Sequence, residues 1–147
     1  MPLSAAEIAR LIPHAGRMCL LAEVLHWSAG TIRCISRSHR DANNPMRGPQ
    51  GLPALCGIEY AAQAMAAHGR LSAMINETPR AGFIASVSDV VCGPKRLDAV
   101  DGDLLVEAEL LAGDEERVLY QFALNAGGVE LLRGKATVIL DASQARK

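Results

Sequence analysis

The sequence predicts an α+β domain in which a curved, largely antiparallel sheet wraps one long central helix. Three observations carry this expectation. One run, from Leu55 to about Ile75, is rich in alanine and has high helix propensity. Four alternating apolar segments follow it, separated by turns too short for crossover helices, so their pairing is antiparallel. Two apolar segments precede it with Ser28-Ala29-Gly30 between them, the pattern of a hairpin.

Taken in order, Ser4 followed by Glu7 is a capping-box signature, and Ile8, Leu11 and Ile12 give an apolar stripe. A short helix over 4–12, stopped by Pro13, is expected. MCLLAEVLHW, 18–27, reads as a buried strand, and TIRCISRS, 31–38, as an alternating one. From His39 to Gly51 the chain is dense in Asn, Pro and Gly, which argues for a long ordered loop, a frequent seat of function in small domains. Pro53 suits a first helical turn. After the helix, strands are expected at 83–92, 103–112, 117–126 and 129–140, with turn signals at Gly93-Pro94, Asp101-Gly102, Gly113-Asp114 and Gly127-Gly128. Small residues at Ala54, Ala61, Ala62, Ala64, Ala66, Ala67 and Gly69 let a sheet approach the helix closely, while Ile58 and Met65 fill the remaining space. No repeat or linker divides the chain, so residues 1–147 form one domain.

Composition narrows the function classes. The chain has 147 residues, half of them hydrophobic, and a formal net charge of −1. Its charge is uneven, with eight Lys/Arg against five Asp/Glu in residues 1–80 and seven against eleven in 81–147. No basic stripe with interleaved aromatics is present, which argues against nucleic acid as a partner. Cys19, Cys34, Cys56 and Cys92 have no C-x-x-C pairing and lie in apolar segments, as reduced thiols of a cytoplasmic protein would. Glu7 and Arg10 interrupt the N-terminal apolar residues, so neither a signal peptide nor an anchor is expected, and no segment is long enough to span a bilayer. The histidines and cysteines lack metal-ligand spacing, so no metal is expected.

GLPALCGIEYAAQAMAAHG, residues 51–69, sets one carboxylate, Glu59, near the start of an otherwise small and apolar run. Pro53 stands six residues before it and Gln63 four after. Two further stretches accompany this one: LIPHAGRMCLLAEVL, 11–25, and KRLDAVDGDLLVEAEL, 95–110. Together, in this order, they resemble the hot-dog fold 3-hydroxyacyl-[acyl-carrier-protein] dehydratases. Within that family, NPMRG and GIEYAAQAM are similar to the dehydratases of aryl polyene biosynthesis.

The resemblance implies a hot-dog domain acting without cofactor on acyl groups held by the phosphopantetheine arm of acyl carrier protein. It also implies a homodimer, or a heterodimer with another hot-dog chain, with active sites between protomers. Its reaction turns 3-hydroxyacyl thioesters into trans-2-enoyl thioesters. Backbone amides at a helix N-terminus polarise the thioester carbonyl, an imidazole removes the neighbouring proton, and a carboxylic acid protonates the departing hydroxyl. In that scheme Glu59 is the acid, its pKa raised if the apolar helix buries it. The amides of Ala54, Leu55, Cys56 and Gly57 are the carbonyl donors.

The sequence departs from the family at one point. The family's histidine lies fourteen residues before the glutamate, where this chain has Pro45. The candidate bases are then His39, which opens the Asn/Pro-rich loop, and His14. Gln63 falls within about 40° of Glu59 on a helical wheel and either orients the carboxylate or caps a nearby backbone group. Arg37, Arg40 and Arg47 gather around the loop, and Arg47 is a candidate for the arm's phosphate. Tyr60, Met65 and Met74 are expected in the core or lining an acyl tunnel, His68 in the core or a dimer interface, and His26 in surface packing beside Trp27. Two alternatives stay open: an acyl thioesterase in which Glu59 directs water, and a non-catalytic hot-dog subunit that completes a partner's active site.

Overall fold

The structure is a computed structural model that describes residues 2–12, 16–76, 82–114 and 116–140. Its elements are β1 (Leu3–Ser4), α1 (Ala5–Ala9), β2 (Glu23–Trp27), β3 (Thr31–Ser36), α2 (Gly57–Asn76), β4 (Gly82–Cys92), β5 (Leu104–Gly113), β6 (Arg117–Ala126) and β7 (Val129–Leu140). Short 3-10 turns occupy Gly16–Met18, Ser38–Arg40 and Ala54–Cys56. One seven-stranded antiparallel sheet runs β1-β2-β3-β5-β6-β7-β4 and curves around α2, the hot-dog arrangement.

The capping box at the start of α1 forms as its spacing requires: the Ser4 hydroxyl accepts from the Glu7 amide, and the Glu7 carboxylate accepts from the Ser4 amide at 3.1 Å. The helix ends at Ala9, short of the 4–12 expected, but Ile8 and Ile12 are still buried. Two differences from expectation fall in the next strand. Pairing in β2 begins only at Glu23, and Leu3–Ser4 adds a small edge strand against it. Residues 18–20 are withheld from the ladder because side chains elsewhere claim their backbone groups, as described below. The four late strands fall within one residue of their expected limits.

Period-two alternation turns one face of each strand inward. Ile32, Ala108, Phe122 and Gly134 lie in register across four strands, and so do Cys34, Val106, Leu124 and Leu132. Small and large residues complement each other in the first row. A Cβ at Gly134 would stand 2.8 Å from the Phe122 ring, so the missing side chain is where the ring packs. The second row receives the start of α2, since a Cβ on Gly57 would meet Leu132 at 2.8 Å and Leu124 at 3.0 Å. A larger residue at Gly57 therefore forces the ends of the Leu132 and Leu124 side chains to repack.

The strand order explains why the helix start is so firmly held. β4 lies at the far edge, beside β7, while β5 lies next to β3, so residues 93–103 must travel back across the sheet. On the way they grip the residues leading into α2. The Ala54 amide donates to the Lys95 carbonyl at 3.0 Å, and the Leu97 amide to the Leu52 carbonyl at 2.9 Å. Leu97 and Leu52 are both fully buried.

Candidate active site at the start of the central helix

Cys56, Glu59, Tyr60 and Gln63 follow the i, i+3, i+4, i+7 spacing and so share one helix face. The face is largely enclosed. Tyr60 and Gln63 are wholly buried, while Glu59 and Cys56 are half-buried. Burial, and then the negative charge of Glu59, push the Cys56 thiol upward, which places the two side chains within electrostatic reach.

The amides expected to polarise a carbonyl are partly committed. The chain enters α2 through a 3-10 turn, whose tight bonding uses donors that an α-helical start leaves open. The Cys56 amide donates to Pro53, the Gly57 amide to Ala54 and the Ala54 amide to Lys95. Among the described hydrogen bonds, only the Leu55 amide of these four lacks an acceptor. Its side chain is 58% exposed, so this end of the helix opens to solvent.

Gln63 is committed to backbone rather than to the carboxylate. Its Nε2 donates to the Met18 carbonyl at 2.5 Å, and its Oε1 accepts from the Leu20 amide at 2.9 Å. Both ends of the amide are thus used to hold residues 18–20 beside the helix.

His39 lies in the 3-10 turn after β3 and is 0% exposed. Its Nε2 donates to the Val100 carbonyl at 3.1 Å, because a carbonyl can only accept. Nδ1 then carries the lone pair, and it has no partner among the described residues. Burial lowers the pKa of the ring, with the Val100 hydrogen bond opposing, so the neutral form is favoured. His14 lies outside the described residues. Pro45 is exposed on the surface of the loop.

Arg47 is engaged by Asp98 at 3.3 Å, and Arg96 reaches the same carboxylate oxygen at 2.6 Å. The other carboxylate oxygen accepts from the Leu52 amide at 2.8 Å. The Arg96 hydrogen bond and the Leu52 amide hold the Asp98 carboxyl well below the usual range. Arg37 and Arg40 both pair with Asp103, at 3.2 and 3.0 Å. Sequence reasoning missed Asp98 because its partners are scattered from residue 47 to residue 96. The one available signal was Arg-x-Asp within KRLDAVDGD.

Comparison with known proteins gives the family and the fold. The ApeP-like family, described as ApeP dehydratase, matches residues 6–146. The chain belongs to the ApeP-like dehydratase family. No curated protein matches the sequence. Among solved structures, the dehydratase heterocomplex ApeI:P from Xenorhabdus doucetiae aligns with a TM-score of 0.82 at 22% identity, over 95% of this chain and 93% of that one. The thioesterase HI1161 from Haemophilus influenzae aligns at 0.69 and 10% identity, over 95% and 91%. A hypothetical thioesterase with coenzyme A from Streptococcus pneumoniae aligns at 0.55 and 10%, over 80% and 84%. At these identities the likeness is one of fold. The architecture of this ApeP-like chain is therefore one that thioesterases also adopt. Among the described residues of this ApeP-like chain, no three His, Cys, Asp or Glu side chains are grouped to hold a metal, and no helix is long and apolar enough to cross a membrane.

Proposed function

We propose that the protein takes part in dehydrating 3-hydroxyacyl thioesters, carried on acyl carrier protein, to trans-2-enoyl thioesters in aryl polyene or related fatty acyl synthesis in the cytoplasm. The observation that carries this reading is Glu59, half-buried on the first turn of α2 in a chain of a dehydratase family. Glu59 in its acid form protonates the 3-hydroxyl as a base takes the proton from the carbon next to the carbonyl. The C–O bond breaks, water leaves, and the double bond forms. The resulting carboxylate and protonated base reset by exchange with solvent. The Leu55 amide is the donor left to polarise the thioester carbonyl, and Arg47, shared with Asp98, lies beside the same loop for the arm's phosphate.

The base distinguishes two forms of this reading. In the first, a histidine of the same chain acts, either His39, whose neutral Nδ1 has the required lone pair, or His14. In the second, the chain lends Glu59 to a site whose imidazole comes from a partner hot-dog chain. Two features favour the second: His39 is enclosed, and Pro45 stands where the family histidine belongs. The similarity to one chain of the ApeI:P heterocomplex points the same way.

The test is to incubate the purified protein, alone and co-purified with a partner hot-dog chain, with a 3-hydroxyacyl thioester. Enoyl product in either preparation, reduced at least about 100-fold by Glu59→Gln, supports dehydration. Activity of the isolated homodimer sinks the two-chain form. Release of free thiol without enoyl product favours the thioesterase alternative and overturns the proposal.

A further inference from the structure

Tyr60 adjoins Glu59 in the helix, and its hydroxyl has no part in the reaction just described. Its ring is fully buried, and phenylalanine would fill the same core space without a polar group to satisfy. The hydroxyl lies 2.9 Å from Ser38 Oγ and 3.0 Å from Asn44 Nδ2. Chemistry fixes the direction of these bonds. The Asn44 amide nitrogen can only donate, and Ser38 Oγ donates at 2.9 Å to the Leu20 carbonyl, which can only accept. Tyr60 therefore accepts from Asn44 and donates to Ser38.

The same peptide segment closes a circuit on the other side of Glu59. Ser36 Oγ also donates to the Leu20 carbonyl, at 2.6 Å, while the Leu20 amide donates to Gln63. Two stretches outside the sheet, 18–20 and 38–46, are in this way bound to Tyr60 and Gln63, which stand on the face that carries Glu59. Asn44 is the one fully buried side chain between Arg40 and Arg47, with Met46 partly buried against the core beside it, so Asn44 is the main polar anchor of this part of the loop. Asn44 also donates to the Ser38 carbonyl at 2.8 Å and accepts from the Met46 amide at 2.9 Å, which stiffens the loop around that anchor. Three residues on, Arg47 is pinned to Asp98.

We infer that Tyr60 is a positioning residue whose hydroxyl fixes residues 44–47 beside the Glu59 turn, where they form one wall of the path taken by the thioester. The inference rests on the dehydratase reading for the identity of the substrate, and on geometry alone for the anchor. Loss of the hydroxyl leaves the core filled and loosens the loop, whose remaining ties are those of Met46, Arg47 and the Ser38 carbonyl. The loosened wall weakens substrate binding more than it slows the chemical step.

The experiment pairs amide hydrogen exchange with steady-state kinetics on Tyr60→Phe, Asn44→Ala and the double variant, in whichever preparation turns over. In Tyr60→Phe, exchange over 41–47 is expected to rise about tenfold, as loss of the bond from Asn44 implies, while 61–71 stays protected. KM for the 3-hydroxyacyl thioester is expected to rise about tenfold with kcat within about twofold, and the losses in the double variant to be less than additive, because both substitutions remove the Tyr60–Asn44 bond. Unchanged exchange over 41–47, faster exchange along the whole helix, or kinetic losses that add in the double variant would each overturn the inference. If no preparation of the wild-type protein turns over any 3-hydroxyacyl thioester, the dehydratase reading fails, and the exchange pattern and its non-additivity then decide the anchor by themselves.

Discussion

His68 and His39 are both enclosed, at 1% and 0% exposure, yet their ring nitrogens are placed in opposite circumstances. His68 uses both. Its Nε2 donates to the Ser28 carbonyl at 2.8 Å, which forces Nδ1 to accept, and the Tyr120 hydroxyl supplies that proton at 2.6 Å. The two rings meet edge-on at 5.5 Å. One side chain thereby joins α2, β6 and the turn between β2 and β3. His39 uses only Nε2 and leaves a buried lone pair on Nδ1. The difference separates a histidine fixed by the fold from one with unused chemical capacity, although burial lowers the pKa of both.

The largest test of that contrast is His68→Leu. It leaves the Tyr120 hydroxyl buried without its partner and removes the link to Ser28, at a cost of about 3 kcal/mol from lost hydrogen bonds and imperfect packing. Thermal unfolding should show a Tm lower by roughly 10 °C for a chain of this size. A shift under about 3 °C would mean that the network contributes little to the fold. Tyr120→Phe is the milder version. It removes a hydroxyl whose pKa burial pushes up to about 12, and leaves His68 Nδ1 with nothing to accept from. Urea denaturation should place the loss at about 1–2 kcal/mol, because the ring itself is retained.

Acid provides a gentler probe of the same pair. In the unfolded chain histidine titrates near about 6.5, whereas in the folded protein both rings titrate lower. Above that pH both states are neutral, and the histidines contribute no pH dependence. As pH falls below it, the unfolded state takes up protons that the folded state resists, so stability declines until the folded values are passed. The urea midpoint should therefore drop between pH 7.5 and 5.5. The slope should flatten in His68→Leu and flatten further when His39 is also replaced. An unchanged slope in the double variant would assign the acid sensitivity to other groups.

Much of the fold was legible because it depends on local pattern. Alternation gave β4 to β7, alanine content gave α2, and the Ser4/Glu7 spacing gave the cap. What escaped depends on side chains that reach backbone far away in sequence. Residues 18–22 look like strand, but Gln63, 43 and 45 residues onward, takes the Leu20 amide and the Met18 carbonyl. The 3-10 turn at Ser38–Arg40 is likewise held by Asn44 and Val100. At the site, Glu59, Gln63 and the loop stood out as a motif. Tyr60 did not, because its residue type is equally at home in an apolar core, and only its partners reveal that the hydroxyl has a task. The bonding of the helix-start amides was also beyond reach, since sequence pattern does not separate a 3-10 start from an α-helical one.

The smallest stability effect, and the most informative functional one, is expected for His39→Phe. The replacement keeps a flat ring in the buried site. It gives up one hydrogen bond at Nε2, yet it also removes a buried nitrogen that has no partner, and these changes oppose each other. Stability at pH 7.5 should stay within about 1 kcal/mol of wild type, against about 3 for His68→Leu. Activity then divides the two forms of the proposed site. If His39 is the base, turnover of a 3-hydroxyacyl thioester should fall by about 100-fold or more in this well-folded variant. If His14 or a partner chain supplies the imidazole, the rate should be kept while Glu59→Gln still abolishes it, and only the partner form needs the co-purified complex for turnover. A His39→Phe protein that unfolds as readily as His68→Leu would dissolve the contrast itself, because the unpartnered nitrogen would then mark a structural histidine.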